Sequence, residues 1–295
     1  MINKIVIASL CLVLLLLFYF FPTKQRFETN IIVKEDLKEN VVYMLDNDNY
    51  VSKVITYFNS NSLENEIRNK IEILTLGKED LNDFHPIIPS NTKLKSIKID
   101  KNNVYLDFSK ELLDVSIYHE EEMIESIVYT LSEINGIDNI YISVEGKELK
   151  ELPVSHKELD YPLTRNYGIN KQYDLNNFDN IDKTIIYFLK QNDDKEYIVP
   201  ITKVSNTEDD KINIIIQELK SSVNAQNNLK SYINENTELI TYKLLDNEIE
   251  LTFNDYLFKT KQSEDLLVSS IFENYNVDKI ALKNEDNSTN IIRNK

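Results

Sequence analysis

The stretch Asn91–Lys147, NTKLKSIKIDKNNVYLDFSKELLDVSIYHEEEMIESIVYTLSEINGIDNIYISVEGK, decides the fold. It reads as strand, turn, strand, helix, strand. Ile97 and Ile99 lead into the polar turn DKNN, and Val104, Leu106 and Phe108 then alternate with Tyr105 and Asp107, giving the return strand one apolar face. Glu120, Glu121 and Glu122 place negative charge where a helix N-terminus favours it. Ile124, Ile127, Val128 and Leu131 recur at helical spacing, Asn135-Gly136 supplies a stop, and Ile140 and Ile142 begin a last strand before VEGK.

A worn copy of this stretch returns later in the chain. Asn91, Thr92 and Leu94 recur as Asn236, Thr237 and Leu239, and Val104, Leu106 and Phe108 as Ile249, Leu251 and Phe253, all 145 residues on. Val128, Asp138 and Ile140 recur as Val268, Asp278 and Ile280, now 140 residues on. Each copy has its own lead-in. NVVYML (Asn40 to Leu45), the turn DNDN and YVSKVITYF (Tyr50 to Phe58) open the first as a hairpin. A helix capped by Ser62 follows, with Leu63, Ile67, Ile71 and Leu74 on one face. TIIYFL (Thr184 to Leu189) opens the second, with Tyr187, Phe188 and Leu189 standing for Tyr43, Met44 and Leu45. Ile212, Ile215, Ile216 and Leu219 form its first helix stripe, Leu267, Val268 and Ile271 its second. The polar tail from Asn284 is expected to fray.

The expected class is α+β, two homologous small domains of ββαββαβ order with the helices on one face of the sheet. The expected organisation is an anchor over 1–22, a polar tether over 23–40, domains over 41–150 and 184–295, and a connector over 151–183. The connector holds Pro153, Pro162 and Gly168, and its segment DYPLTRNYGINKQYDL is patterned enough to pack on a neighbouring domain.

The anchor rests on IVIASLCLVLLLLFYFFP, Ile5 to Pro22. Its residues at ~1.5 Å each reach about 27 Å, close to the hydrocarbon thickness of a bilayer. Phe20-Phe21-Pro22 is no signal-peptidase site, and Leu10 before Cys11 is no lipidation site, so an uncleaved span is expected. Lys4 before it and Lys24 and Arg26 after it leave orientation open on charge alone.

With 33 basic and 49 acidic residues and a net charge of -16, the chain repels phosphate backbones, and no nucleic-acid partner is expected. Four glycines, Gly77, Gly136, Gly146 and Gly168, cannot build a phosphate-cradling loop. Cys11 is the single cysteine, which removes disulfides and thiolate chemistry from the rest.

No catalytic, cofactor or metal site is assigned. His85, His119 and His156 are scattered over loops and domain edges, and Ser155-His156 lacks a nucleophile elbow. Glu120 to Glu122, with Glu121 foremost, offer carboxylates for glycan hydrolysis, but helix-start charge compensation accounts for them. The tyrosines offer a glycan-stacking surface, though strand propensity explains Tyr105 and Tyr141. Arg165, a rare arginine between Pro162 and Gly168, is the residue singled out for pairing with a carboxylate on a domain face.

The repeat resembles the GerM family of spore germination and sporulation proteins and their GerMN domain. The resemblance is carried by IPSNTKL (Ile88 to Leu94), VYLDFS (Val104 to Ser109), INGIDNIYISVEGK (Ile134 to Lys147) and the connector PLTRNYGIN (Pro162 to Asn170). The family's turn glycine is replaced by Asn91 and Asn236, residues that tolerate the left-handed conformation. The family's lipobox is missing, and the second copy reads KNED (Lys283 to Asp286) where the first has VEGK. The resemblance implies a fold similar to the ring-building motif and a non-enzymatic, membrane-tethered envelope protein, with its domains outside the cytoplasm. It would act as a scaffold or assembly factor in sporulation or germination of a Gram-positive spore former. The implied partners are the membrane and proteins of a sporulation envelope complex, with peptidoglycan and a second copy of the chain as further candidates. The alternative is a cell-wall glycan-binding or glycan-processing protein.

Overall fold

A computed structural model of the chain describes residues 37–192, 195–221, 224, 227–286 and 289–294. The expected anchor and most of the tether lie outside the described residues. Among the described residues no helix is long and apolar enough to cross a membrane.

The first repeat contains β1 (Glu39–Leu45), β2 (Val51–Tyr57), α1 (Leu63–Leu76), β3 (Leu94–Asp100), β4 (Asn103–Phe108), α2 (Glu120–Ser132), β5 (Asn139–Val144) and β6 (Lys147–Glu148). The connector contributes β7 (Gln172–Asp174). The second repeat contains β8 (Asp182–Asn192), β9 (Lys195–Ser205), α3 (Lys211–Leu219), β10 (Leu239–Leu244), β11 (Glu248–Phe253), α4 (Lys261–Asn274), β12 (Lys279–Asn284) and β13 (Asn290–Asn294). Ser62 caps α1 as its sequence demands, accepting from the Asn65 amide at 3.2 Å.

Two expectations are corrected. Each repeat has one strand more than ββαββαβ, because a further strand folds back on the last one: β6 on β5, and β13 on β12. The tail is therefore not frayed over 290–294. Ile291 packs against the second core, and the backbone of these residues finds its partners on β12. The helices also do more than cover one face of a single sheet. Within each repeat the outer strands form their own sheet, β3-β4-β5-β6 and β10-β11-β12-β13, with a parallel β4/β5 and β11/β12 pair at the centre. The lead-in hairpins leave their repeats and merge into a third sheet, β1-β2-β9, with β8 and β7 also on β9.

The merged sheet is the physical link between the copies, and its outer edges are closed by helices. On β1 the Tyr43 amide donates to Thr130 Oγ1 at 2.8 Å and the Ser126 hydroxyl donates to the Tyr43 carbonyl. On β8 the Tyr187 amide donates to Ser270 Oγ at 2.9 Å, and the Asn274 side chain bonds both backbone groups of Ile185. A hydroxyl on a core-facing helix thus substitutes for a neighbouring strand. Two apolar clusters fill the space between sheets, and the first takes in Ile185, Tyr187 and Leu266 from the second repeat.

Candidate functional site at the junction of the repeats

Arg165 opens a short 3-10 turn, Arg165–Tyr167, capped by Thr164 Oγ1 accepting from the Asn166 amide at 3.2 Å. Gly168 ends the turn at φ +86°, and a Cβ there would meet Thr202 Cγ2 at 3.1 Å, so glycine is required twice over. The turn lays the Arg165 guanidinium between the two repeats. Its Nε and Nη2 fork onto both oxygens of Glu273, the second bond at 3.1 Å. Nη2 also donates to the Tyr187 hydroxyl at 3.0 Å, and Nη1 to Ser132 Oγ at 3.1 Å and Glu133 Oε1 at 3.4 Å. The Tyr129 ring lies 4.3 Å beneath the guanidinium carbon.

This arrangement is nearly two-fold. Tyr43 donates its hydroxyl to Glu133 at 2.8 Å, and Tyr187 donates to Glu273 at 2.8 Å. Glu133 and Glu273 are 140 residues apart and Tyr43 and Tyr187 144 apart, so they are copies of one another in the repeat. Arg165 comes from the connector and has no copy in either repeat, and it sits where the two copies meet. Lys53 completes the set, 3.3 Å from Glu133. Two cations then face two carboxylates, with side-chain exposures of 23% for Arg165, 21% for Glu133 and 15% for Glu273. Burial pushes the Glu133 carboxyl up, but Lys53 and Arg165 more than reverse this and hold it below the usual carboxylate range.

The next residues continue the junction. Asn170 adopts φ +48°, which asparagine tolerates, and pushes its amide between β2 and β9. Its Oδ1 accepts from the Val51 amide at 2.8 Å, and its Nδ2 donates to the carbonyls of Val51 at 2.9 Å and Pro200 at 2.7 Å. Pro200 has no N–H to leave unpaired at this point of the strand. Lys171 reaches Glu125 at 2.6 Å and Glu121 at 3.1 Å and covers the Tyr167 ring at 4.0 Å. Glu125 is 3% exposed, and burial pushes its carboxyl up to about 6 although Lys171 opposes the shift.

Two of the three glutamates at the start of α2, Glu120 and Glu121, are engaged. Glu120 accepts from the Val154 amide at 2.7 Å and the Ser155 amide at 3.0 Å, and Glu121 is held by Lys157 at 2.7 Å as well as by Lys171. His85 and His119 line one hollow while His156 pairs with Glu151 at 2.8 Å. No cluster of three metal-binding side chains occurs among the described residues. Tyr105, Tyr141 and Tyr161 stack in a row, with centroids 4.6 Å and 5.7 Å apart and planes within 13° and 9°. Their inner ring faces are turned to one another, and Lys98 lies 5.4 Å from the Tyr105 centroid, so this row is not an open platform for a sugar.

The pairing of Arg165 with a carboxylate agrees with the sequence reading; Glu125, Asn170 and Lys171 were missed. Arg165, Asn170 and Lys171 all fall within six residues of one another in the connector, and that density of polar residues beside Gly168 was the available signal.

Comparisons with known proteins follow the same outline. A family model described as "Germane: Sporulation and spore germination" matches residues 41–150. The spore germination protein GerM of Bacillus subtilis (strain 168) is 29% identical over 237 residues, covering 78% of this chain and 64% of that protein. The chain thus spans just under two thirds of the length of that relative. The solved tandem GerMN domains of the sporulation protein GerM from Bacillus subtilis superpose with a TM-score of 0.77 at 27% identity, over 85% of this chain and 92% of that one. With the first repeat matched by the family model and the tandem α+β architecture shared across both repeats, the chain is similar in sequence and in fold to the tandem GerMN domains of GerM.

Proposed function

We propose that the chain is a non-enzymatic, membrane-anchored envelope protein that works as a scaffold or assembly factor in sporulation or spore germination. In this reading residues 1–22 are the anchor, 23–40 the tether, 41–150 and 184–295 the two domains and 151–183 the connector. The domains lie outside the cytoplasm and meet protein partners of a sporulation envelope complex. The observation that carries the reading is the Arg165 junction. Buried charge is spent there on holding two copies of one domain in a fixed relation, which is what a load-transmitting or partner-positioning protein requires. The Glu121 carboxylate, the best candidate for glycan chemistry, is saturated by two lysines.

The test is the position of a functional fluorescent fusion in the native cell through growth and sporulation. Enrichment at the engulfing septum only during sporulation is expected, together with release to the soluble fraction when residues 1–22 are deleted. An even distribution over the envelope of growing cells would overturn the sporulation role, and an unchanged membrane fraction on deletion would overturn the anchor.

A further inference from the structure

Among the described residues the merged central sheet has an opening between β2 and β9. β2 and β9 pair at Lys53–Ile198 alone and then diverge. Backbone alternation fixes which groups face the gap. The Val51 amide and carbonyl both meet Asn170 on the β9 side, and the Phe58 amide turns the other way to the Lys38 carbonyl. Odd-numbered residues of β2 therefore face β9, which directs the backbone of Ile55 and the Tyr57 amide into the gap. On β9 the Thr202 amide donates to the Ile169 carbonyl at 2.9 Å and the Pro200 carbonyl accepts from Asn170, so even-numbered residues face β2. That directs the backbone of Glu196 into the gap from the opposite wall. No strand pairs these groups among the described residues; the Tyr57 carbonyl alone is met, by Lys78 Nζ at 2.9 Å.

The gap is also a cavity of about 700 Å³, lined by Ile55, Tyr57, Leu81, Phe84, Tyr197 and Ile198 among others. Ile55 is 50% and Tyr57 47% exposed. The outer edges of the same sheet are closed by Thr130, Ser126, Ser270 and Asn274. The edge strands β3 and β10 are blunted by register shifts at Lys95 and Ile240 and carry Lys98 and Lys243. Against that background the β2/β9 gap stands out as an apolar notch with peptide groups on both walls.

We infer that this notch binds an extended peptide segment of another protein, which adds a short strand against Ile55–Tyr57 and buries alternate apolar side chains in the cavity. An acyl chain would fill the apolar space yet leave both rows of backbone groups without partners. The Lys53–Ile198 pair closes one end, so about three residues, at ~3.3 Å each, enter the notch. Asp80, Asp83 and Glu196 outnumber Lys53 and Lys195 in the lining, and the whole chain carries -16, so the segment has a basic flank. The inference stands independently of the sporulation role.

The test uses the purified full chain and a set of end-capped hexapeptides in which Val, Ile, Leu or Phe alternates with Thr between flanking lysines. Fluorescence anisotropy reads binding, and amide hydrogen exchange reads Ile55, Tyr57 and Glu196. The expected result is that at least one peptide binds and slows exchange at those three amides tenfold or more. N-methylation of its wall-facing amides should weaken binding at least tenfold. Ile55→Pro should abolish binding, because it removes a notch-facing N–H while leaving the amides that bond β1. Ile55→Thr, which keeps the strand backbone, should weaken it severalfold and serves if the proline variant does not fold. Binding by no member of the set, equal binding of N-methylated peptides, or binding indifferent to both Ile55 variants would overturn the inference. Displacement of a bound peptide by palmitate without any amide protection would point to a lipid instead and would equally overturn it.

Discussion

Arg165 is held by groups that an ammonium could not serve together. Its fork spans both oxygens of Glu273 while the other terminal nitrogen turns to Ser132 and Glu133, and its flat face rests on Tyr129. Arg165→Lys should therefore restore charge but not geometry. We expect Arg165→Met to cost about 3 kcal/mol, since it leaves Glu133 and Glu273 with Lys53 as the remaining cation. Arg165→Lys should recover less than half of that, and urea unfolding of the three proteins checks the order. Glu125 gives a pH signature of known sign. Its folded pKa, about 6, lies above the ordinary carboxyl value of 4.5, so the native state binds the extra proton. That contribution is full below pH 4.5 and disappears as pH rises through 6, a difference of about 2 kcal/mol. Glu122, raised by burial, acts in the same direction, while Glu121 and Glu133, held low, lose stability only as pH falls below 4.5. Glu125→Gln should flatten the decline in stability between pH 4.5 and 6, as read by chemical denaturation across that range. An undiminished slope in the variant would assign the effect elsewhere.

At the scale of elements, period and capping did most of the work. Val104, Leu106 and Phe108 alternate and are all buried on β4, as alternation required. A charge at Leu106 or Phe108 would be buried in the first apolar cluster, so Leu106→Asp or Phe108→Asp should cost more than about 4 kcal/mol and unfold the first repeat. Loss of near-UV circular dichroism and of protease resistance is the expected readout, and a variant melting with the unaltered chain would show that the strand register is misassigned. What the sequence did not disclose has a common physical origin. β9 reads YIVPITKVS, and its proline argues against a paired interior strand; the proline is acceptable because its missing N–H falls on the β2 side, where the Asn170 side chain, thirty residues earlier, stands in for a strand and bonds the carbonyl alone. β13 is five residues of mixed polarity whose strand character comes from β12 beside it. Elements stabilised by their own pattern were legible, whereas elements stabilised by a neighbour were not. Arg165 belongs to both kinds, since its rarity marked it and its partner Glu273 lies 108 residues away.

At the scale of the whole molecule, the repeat suggested two domains joined by a connector, and the merged sheet changes what that implies about stability. Two independent domains would unfold separately. Here β2 lies against β9, Asn170 is bonded to both, Arg165 joins Glu133 to Glu273, and the first core includes Ile185, Tyr187 and Leu266 of the second repeat. Unfolding either repeat alone would expose part of the core of the other and leave paired charges single. The described unit should therefore unfold in one transition, with calorimetric and van't Hoff enthalpies equal. The coupling rests on few contacts, however, because the β2/β9 ladder is one pair long. Combining Arg165→Met with Asn170→Ala should remove enough of it to split the transition in two without unfolding either repeat at room temperature. Scanning calorimetry decides the matter. Two transitions in the unaltered chain would mean that the junction holds the repeats in position without coupling their stability, and one transition in the double variant would place the coupling in the shared core around Tyr187 instead of in the connector.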